Sequence, residues 1–536
     1  MFIPEHSYQT MNAPCAIERP QESPTAARSN WLFAPLLLIA LCSSMPSAQA
    51  CNHLSAGALF WVRLTVPISS YSAKPGMPVQ AILLKSPECD KVSVFSTNIP
   101  VEGRVLSVRR VGLGLWHETA ALELAFLRIL PTDHSPIEIN GRVELVDNAR
   151  ESVKNGVIRG IRSTDTPQGL ISSRLKYLPS PHLYPDPVLL GYKLLFPVFP
   201  EPEINLESGA DMQVQLAEAI DLPADLPATP QIATILDQDG KLRKSLTGLP
   251  ERTSTKQGKA ADVINMVFAG SRADLEHAFQ ISGWQQSEEI SAHTVLRQFY
   301  SYLAKSSYAT APMSAQLLAG SKPNLTLEKA FQSNEKRNHL RIWELETTWS
   351  TLPLWASAAV RETGATLSIR HKGFIHHVSE DLDEEQQTVL RDLSVVDCVD
   401  SVGSFARPAL SHLMRNATGE LFRTNGSLLV VRLKPCGAGE QVTRSNHRPS
   451  LKSGSRAFRY LRRQILTVRS DLWRANCIYA LFDLTRRTLG VVRQSSLRRA
   501  ADTRLRQATT LMPTSEMQTP LLQDVNGPDN IGGSTP

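Results

Sequence analysis

The sequence predicts a multidomain protein in which an N-terminal all-β module of sandwich or barrel type is followed by an α+β domain, a basic amphipathic C-terminal helix and a disordered tail. A chain of 536 residues exceeds what one core usually organises. Short alternating apolar runs fill residues 59 to 161, whereas helical and strand periods mix between residues 261 and 433. The boundaries expected from these shifts are 1–50 for a leader and signal peptide, 51–217 for the β-rich domain, 218–258 for a linker, 259–433 for the α+β domain, 434–510 for the basic helical segment and 511–536 for the disordered tail.

The first fifty residues carry the features of an export signal. An apolar run from Trp31 to Leu41 follows Arg28, and Ala48-Gln49-Ala50 is the small-x-small pattern that a signal peptidase recognises. The run is too short to span a bilayer, so cleavage and release into the periplasm or envelope is expected. Cys51 follows the predicted cut, but Ala48 stands where a lipobox has leucine, which favours cleavage without lipidation.

The cysteines suggest no metal ribbon and no dense disulfide framework. Cleavage would leave five of them at wide spacings, and none forms a CxxC pair. Isolated thiols are therefore favoured. Pairing of Cys398 with Cys436 in an oxidising compartment is the alternative.

The β-rich domain is predicted from four apolar runs separated by turn residues. The runs lie at residues 62–66, 79–84, 122–126 and 143–146, and Lys74-Pro75-Gly76 and Asn140-Gly141 are typical hairpin turns. Short motifs such as Lys74-Pro75-Gly76 and Ile99-Pro100 resemble motifs in the β modules of bacterial envelope and secretion-scaffold proteins. A proline-rich connector is expected over residues 162–202, and alternation between residues 204 and 216 predicts a final strand pair that closes the domain.

The α+β domain is predicted from mixed periods. A buried strand is expected over residues 261–268, and helices are expected over 271–282 and 291–304, the second with Val295, Leu296, Phe299 and Leu303 on its apolar face. Strands follow at residues 339–345, 353–360 and 374–378. A helix over residues 381–393 opens with acids, which the helix dipole favours.

The C-terminal segment is strongly basic, whereas the rest of the chain is mildly acidic. Residues 441–510 contain 16 Lys/Arg against three Asp, a net charge of +13, so the remainder carries 6 − 13 = −7. Apolar residues recur at spacings of three and four from Phe458 to Phe482, with arginines between them, which predicts a basic amphipathic helix. Its expected partners are an anionic membrane surface or an envelope protein, and docking on the protein's own body is the alternative. Nucleic acid is not expected for an exported protein.

Five short sequence motifs between residues 283 and 385 resemble those of the LssY-like C-terminal domain of bacterial envelope proteins. The motifs are Gly283-Trp284, Tyr308 to Ser314, Arg337-Asn338-His339-Leu340-Arg341-Ile342-Trp343, Pro353 to Ala358, and His376-His377-Val378 with Asp383 and Glu385. The chain departs from this family at Gln386, where relatives commonly have arginine. Some relatives fuse the domain to a membrane-embedded phosphatase unit whose motifs this sequence lacks, so the resemblance implies the domain but does not extend phosphatase activity to this chain.

The candidate ligand-binding residues are Arg337, His339, Arg341 and Trp343. In a strand these four share one face, while Leu340 and Ile342 share the other. Two guanidinium groups, an imidazole and an indole suit a carboxylate or phosphate group beside an aromatic wall. A structural role stays open, with Arg341 paired to a nearby acid and His339 bonded to a carbonyl group.

A metal site is the second candidate, and no cofactor is favoured. His339 with His376 or His377 and with Asp383 or Glu385 would make a set of two histidines and one carboxylate. Adjacent strand residues point to opposite faces, so at most one of the two neighbouring histidines reaches His339. The sequence contains no HExxH, GxSxG, GxxxxGK or GxGxxG motif.

These observations lead to two functional hypotheses and leave open whether the protein is an enzyme. The leading hypothesis is an exported envelope protein with a binding or scaffolding role and an anion-recognising face. The alternative is a hydrolase, metal-assisted or not, that acts on a phosphorylated or lipid-derived substrate.

Overall fold

Strands dominate the N-terminal part of the structure, as the alternating apolar runs predict. The computed structural model describes residues 52–89, 92–113, 117–132, 134–162, 200–223, 226, 232–331, 336–368 and 373–436, together with scattered residues between 457 and 489. The strands of the N-terminal part are β1 (His53–Leu54), β2 (Leu59–Leu64), β3 (Ile68–Ser69), β4 (Pro78–Lys85), β5 (Glu88–Cys89), β6 (Val92–Ser93), β7 (Pro100–Arg109), β8 (Ala121–Ile129), β9 (Ile137–Val146), β10 (Ser152–Lys154), β11 (Val157–Arg159), β12 (Asn205–Leu206), β13 (Asp211–Leu216) and β14 (Ile220–Asp221).

Six of these strands close into a barrel, which we call the β barrel. Its order is β8-β7-β4-β2-β13-β9, all neighbours are antiparallel, and β9 pairs again with β8. The last strand predicted from the alternation, β13, completes the closure between β2 and β9. At the bulge between β7 and β8, a Cβ on Gly103 would lie 2.3 Å from the carbonyl oxygen of Ala125, so only glycine fits there.

The second part of the chain alternates helices and strands. Its elements are β15 (Ala233–Thr234), α1 (Lys241–Thr247), β16 (Arg252–Ser254), β17 (Ala260–Val263), β18 (Met266–Ala269), α2 (Arg272–Ile281), β19 (Gln285–Gln286), α3 (Ala292–Leu303), β20 (Leu325–Ala330), β21 (Arg337–Trp349), β22 (Leu352–Ser368), β23 (Gly373–Val378), α4 (Leu382–Val395), β24 (Val399–Ala406), β25 (Leu413–Arg415), β26 (Leu421–Arg423) and β27 (Ser427–Leu433). The predicted fold class, a β module followed by an α+β domain, is confirmed.

A nine-stranded sheet organises the α+β domain. Its order is β15-β24-β27-β18-β22-β21-β20-β19, with β23 paired to the distal half of β22. One face packs against α2 and α4 through Phe279, Trp355 and Leu393, and the other packs against α1 through Leu242 and Leu354. Two of these helices begin with a side-chain N-cap. At α2 the Ser271 side chain accepts a hydrogen bond from the backbone N–H of Asp274. At α4 the Asp381 side chain accepts hydrogen bonds from the backbone N–H groups of Asp383 and Glu384.

The stretch predicted as a linker, residues 218–258, contains ordered elements. Strand β15 extends the sheet edge, and helix α1 buries Leu242 and Leu246 against the sheet. The polar, proline-spaced composition does not reveal this helix, because only two of its seven residues, Leu242 and Leu246, are buried apolar residues.

Cys398 and Cys436 form a disulfide, so the favoured interpretation of these two cysteines as isolated thiols was wrong and the alternative, their pairing, is observed. The bond joins the start of β24 to the chain that leaves β27, 38 residues later. Chain spacing alone does not reveal this pairing, because the adjacency arises from the sheet register that places β24 beside β27.

Several sequence predictions lie outside the described residues. They include the signal peptide, lipidation at Cys51, most of the 162–202 connector, most of the basic helix and the C-terminal tail. Among the helices within the described ranges, none is both long and apolar enough to cross a bilayer.

Candidate functional site

The predicted ligand-binding face of β21 is buried. Arg337, His339, Arg341 and Trp343 do share one side of the strand, as the period of two predicts, but their exposed fractions are only 1%, 5%, 3% and 2%. A set of two arginines and a histidine at this burial requires partners of opposite charge inside the protein.

Arg337 and His339 meet two glutamates from the neighbouring strands. The Arg337 guanidinium donates to Glu362 at 2.9 and 3.0 Å and to Glu328 at 3.3 Å, and His339 Nδ1 lies 3.3 Å from Glu362 Oε1. Burial raises the pKa of Glu328 to about 8, against the opposing effect of Arg337. Glu328 is therefore largely protonated at neutral pH, and Glu362 makes the shorter contacts with Arg337.

Arg341 and Trp343 are covered by β17 and by the loop that follows α3. Arg341 donates to Asp262 at 2.9 Å and to the carbonyl and hydroxyl oxygens of Ser314 at 3.1 Å each. Trp343 Nε1 donates to the carbonyl of Ser321 at 3.0 Å. These contacts match the structural role that the sequence left open for Arg341, and they leave little of the face accessible to a ligand.

The metal candidates do not converge among the described residues. His339 lies beside Glu362, whereas His377 is half-exposed and pairs with Glu420 at 2.7 Å. Asp383 accepts from Thr424 Oγ1 and from Asn425 N at 2.8 Å each. His376 lies in β23, and its side chain is outside the described residues. Within the described part of the chain, no group of three or more His, Cys, Asp or Glu side chains is placed to hold a metal ion.

Glu385, the fifth metal candidate, is a buried acid on α4. It is 1% exposed, and neither carboxyl oxygen has a hydrogen-bond partner within the described ranges. Burial raises the pKa of Glu385 to about 8, although Arg361 and Arg391 favour the charged form. Its carboxyl group is therefore mostly neutral at pH 7.

A charged cluster that was not predicted from the sequence joins the two folded parts. Asp392 on α4, 1% exposed, accepts from Arg63 of the β barrel at 2.8 Å, from Lys329 at 2.5 Å and from Trp284 Nε1 at 3.0 Å. Arg63 also binds Asp211 of the barrel at 2.6 and 2.7 Å. Burial opposes ionisation of Asp392, but Lys329 and Arg63 hold its pKa well below the ordinary value. The sequence does contain one indication of this burial. Asp392 follows Glu385 by seven residues and Val389 by three, so the three side chains share the side of α4 that packs against the rest of the protein.

A second ion cluster links the same two parts. Asp147, just after β9, accepts from Arg361 at 2.5 and 2.7 Å and also pairs with Lys336. The Arg361 guanidinium lies 5.3 Å from the centre of the Phe331 ring, a cation–π distance. Apolar contacts of Ile82 and Leu84 with Val395 continue this junction.

An open cleft lies beside this junction, between the β barrel and α4. Its volume is about 1240 Å³, and its walls include Trp61 of the barrel and Leu390 of α4. Eight carboxylate side chains and four basic side chains line it. The acids gather at both ends of α4, where Asp381, Asp383 and Glu384 precede the helix or open it, and Asp397 and Asp400 follow it.

The cleft differs from the buried face of β21, because it is open and its lining includes exposed side chains of α4. Most of its acids have a basic partner, in the pairs Lys85–Glu88, Lys434–Asp397, Arg361–Asp147, Arg63–Asp211 and Arg432–Asp400. Asp381, Asp383 and Glu384 then outnumber Arg391 among the remaining lining residues, so the cleft keeps a surplus of negative charge. Arg391 lies 6.0 Å from the centre of the Trp61 ring, so one cation is held against the aromatic wall. The arrangement suits recognition of a positively charged partner.

Comparisons with known proteins support the family resemblance. Residues 246–428 match the family model described as LssY C-terminus. No curated protein matches the chain. Among solved structures, ComB10 of the Com Type IV secretion system of Helicobacter pylori matches at 11% identity with a TM-score of 0.19, over 32% of this chain and 92% of that chain. The order of the motifs and the match of the family model agree, and residues 246–428 of this protein carry an LssY C-terminus domain.

Proposed function

We propose that this protein is exported to the cell envelope and acts there as a binding or scaffolding protein, with the cleft beside α4 as its recognition surface. The observation that carries the proposal is the convergence of Arg63, Lys329 and Trp284 on Asp392. This buried cluster ties the β barrel to α4, so the two walls of the cleft keep a fixed spacing. A preformed cleft reduces the ordering cost that binding would otherwise incur.

Two features support an envelope location. The N-terminal sequence has an apolar run followed by Ala48-Gln49-Ala50. The disulfide between Cys398 and Cys436 is a bond that persists mainly in oxidising compartments, which include the bacterial periplasm.

The charge of the cleft favours a partner that carries positive charge. Its eight carboxylates outnumber its four basic groups, and Glu384 and Gln387 are exposed on its α4 wall. The anion-recognition hypothesis gains less support, because Arg337 is already paired with Glu362 and Arg341 with Asp262 inside the protein.

The hydrolase hypothesis also gains less support from the geometry. His339 is buried beside Glu362, while His377 is half-exposed beside Glu420 and Asp383 accepts from the Thr424–Asn425 turn. A general base and a second catalytic group need a shared site within hydrogen-bond reach of one substrate. These three side chains have separate partners.

Site-specific photo-crosslinking in intact cells tests the recognition surface. A photoreactive amino acid at Glu384 or Gln387 is expected to give discrete crosslinked species. The same amino acid at Glu276, exposed on α2, serves as the matched control and is expected to give none. Equal patterns from all three positions, or crosslinks from Glu276 alone, would contradict the proposal. N-terminal sequencing of the recovered protein tests export, for which a start at residue 51 is expected.

A further inference from the structure

The described residues between 457 and 466 are helical and contact the β barrel through an arginine. Arg462 is 2% exposed and donates to Glu201 at 2.6 Å, to Glu203 at 3.1 Å and to the carbonyl of Gly112 at 2.9 Å. Leu466, one turn later and also 2% exposed, belongs to the core cluster of the barrel. The side of this helix that holds Arg462 and Leu466 is therefore attached to the protein body.

The apolar stripe predicted from the sequence lies on a different side of the same helix. Phe458, Leu461 and Ile465 follow the three-and-four spacing, and their exposed fractions are 41%, 56% and 36%. A surface helix of a soluble protein normally turns its apolar stripe to the core and its arginines to water. Here an arginine is buried and three large apolar side chains reach the surface.

We propose that the stripe of Phe458, Leu461 and Ile465 binds the surface of an anionic lipid bilayer. The charge of the surrounding sequence favours lipid over an apolar protein partner, because residues 441–510 carry 16 basic residues against three acids. Apolar side chains that enter the interface and basic residues that meet anionic headgroups are the two components of binding by amphipathic helices. This inference goes beyond the proposed function, because it holds whatever partner the cleft recognises.

Arg462 has a specific part in this arrangement. Its salt bridges to Glu201 and Glu203 remove it from the lipid-facing charges and fix the orientation of the helix on the barrel. The stripe is consequently presented outward before any membrane is met. The protein would lie on the bilayer surface through this helix.

Vesicle flotation of the full mature chain tests the inference. The probes are phosphatidylcholine vesicles with and without phosphatidylglycerol. The wild-type chain is expected to float with the anionic vesicles and to dissociate at high salt. Replacement of the stripe by serine at Phe458, Leu461 and Ile465 is expected to weaken partitioning by at least about tenfold, since each buried methylene contributes roughly 0.8 kcal/mol.

Helix α3 provides a matched control. It exposes Leu296 and Tyr300 by 52% and 44%, and residues 288–305 contain two acids and two bases, so this second apolar stripe has no basic surroundings. Leu296→Ser with Tyr300→Ser is expected to leave flotation unchanged. Equal loss in both variants, equal flotation of the stripe variant and wild type, or no flotation of wild type would overturn the inference. The single variant Leu461→Ser, with a melting curve beside it, provides the same test if the triple variant fails to fold.

Discussion

Asp392 and Glu385 are two carboxylic acids on one helix with opposite electrostatic behaviour. Both lie on the packed side of α4, seven residues apart, and each is 1% exposed. Asp392 accepts three hydrogen bonds, and its pKa is held well below the ordinary value. Glu385 accepts none within the described residues, and burial raises its pKa to about 8. Equal burial therefore produces a fixed anion at one position and a neutral acid at the other.

The difference arises from the donors that the fold delivers to each position. Arg63 comes from the barrel strand β2 and Lys329 from β20, and both direct their charges at Asp392. Arg361, the cation whose charge acts most strongly on Glu385, is hydrogen-bonded to Asp147 instead. A low-dielectric environment penalises any charge, and only hydrogen bonds and opposite charges offset that penalty. The long-range topology, more than the helix itself, determines which acid ionises.

The largest effect is expected when the fixed anion is removed. Asp392→Asn leaves Arg63 and Lys329 buried without their shared counter-charge, and loss of one partner from a buried ion cluster costs about 3–5 kcal/mol. Urea unfolding monitored by fluorescence measures the change. Asp397→Asn is the control, because Asp397 forms an exposed pair with Lys434 at 2.6 Å, and a shift within about 0.5 kcal/mol is expected there. Equal losses in the two variants would show that Asp392 does not hold the two parts together.

A smaller effect is expected when one donor is removed and the anion stays. Lys329→Met keeps the buried stem but removes the ammonium group, which leaves Asp392 with Arg63 and Trp284. Hydrogen bonds to charged groups contribute about 1.5–3 kcal/mol, so the loss is expected in that range. The double variant of Lys329→Met and Asp392→Asn is expected to lose less than the sum of the single losses. Strict additivity would mean that the two side chains are not coupled.

The positions of these elements were largely predictable from sequence, but their partners were not. Apolar spacing predicted α2, acids in a first turn predicted α4, and the period of two placed Arg337, His339 and Arg341 on one face of β21. Asp262 lies 79 residues from the arginine it binds, and Asp392 lies 329 residues from Arg63. Local periodicity carries no information on contacts at such separations, so the sequence suggested an open surface where the fold supplies buried counter-charges.

Helix α3 illustrates the same limit for apolar residues. The spacing of Val295, Leu296, Phe299 and Leu303 predicted the helix correctly, with residues 292–303 observed. Of this apolar face, Leu303 is buried, whereas Val295 and Leu296 are 47% and 52% exposed. A hydrophobic period indicates which residues share a face. It does not indicate what the face contacts.

The effect of pH distinguishes the neutral acid from the fixed anion. The pKa of Glu385 rises from an ordinary value of 4.5 to about 8 on folding. Between these values the folded protein holds a proton that the unfolded chain has released, so unfolding releases protons and stability falls as pH rises through this window. Each such group contributes a slope of up to about 1.4 kcal/mol per pH unit. Glu328, with a pKa also raised to about 8, adds to the same slope.

Glu385→Gln is expected to remove one of these two contributions. At pH 5 the variant and wild type carry a neutral group at this position, so their free energies of unfolding are expected to agree within about 1 kcal/mol. From pH 5 to pH 8 the wild type is expected to lose stability faster, with a slope difference approaching about 1.4 kcal/mol per pH unit. Glu384→Gln, one residue earlier on the exposed side of α4, is expected to leave the slope unchanged. Parallel profiles for Glu385→Gln and wild type would mean that Glu385 is ionised in the folded protein, and the contrast with Asp392 would then fail.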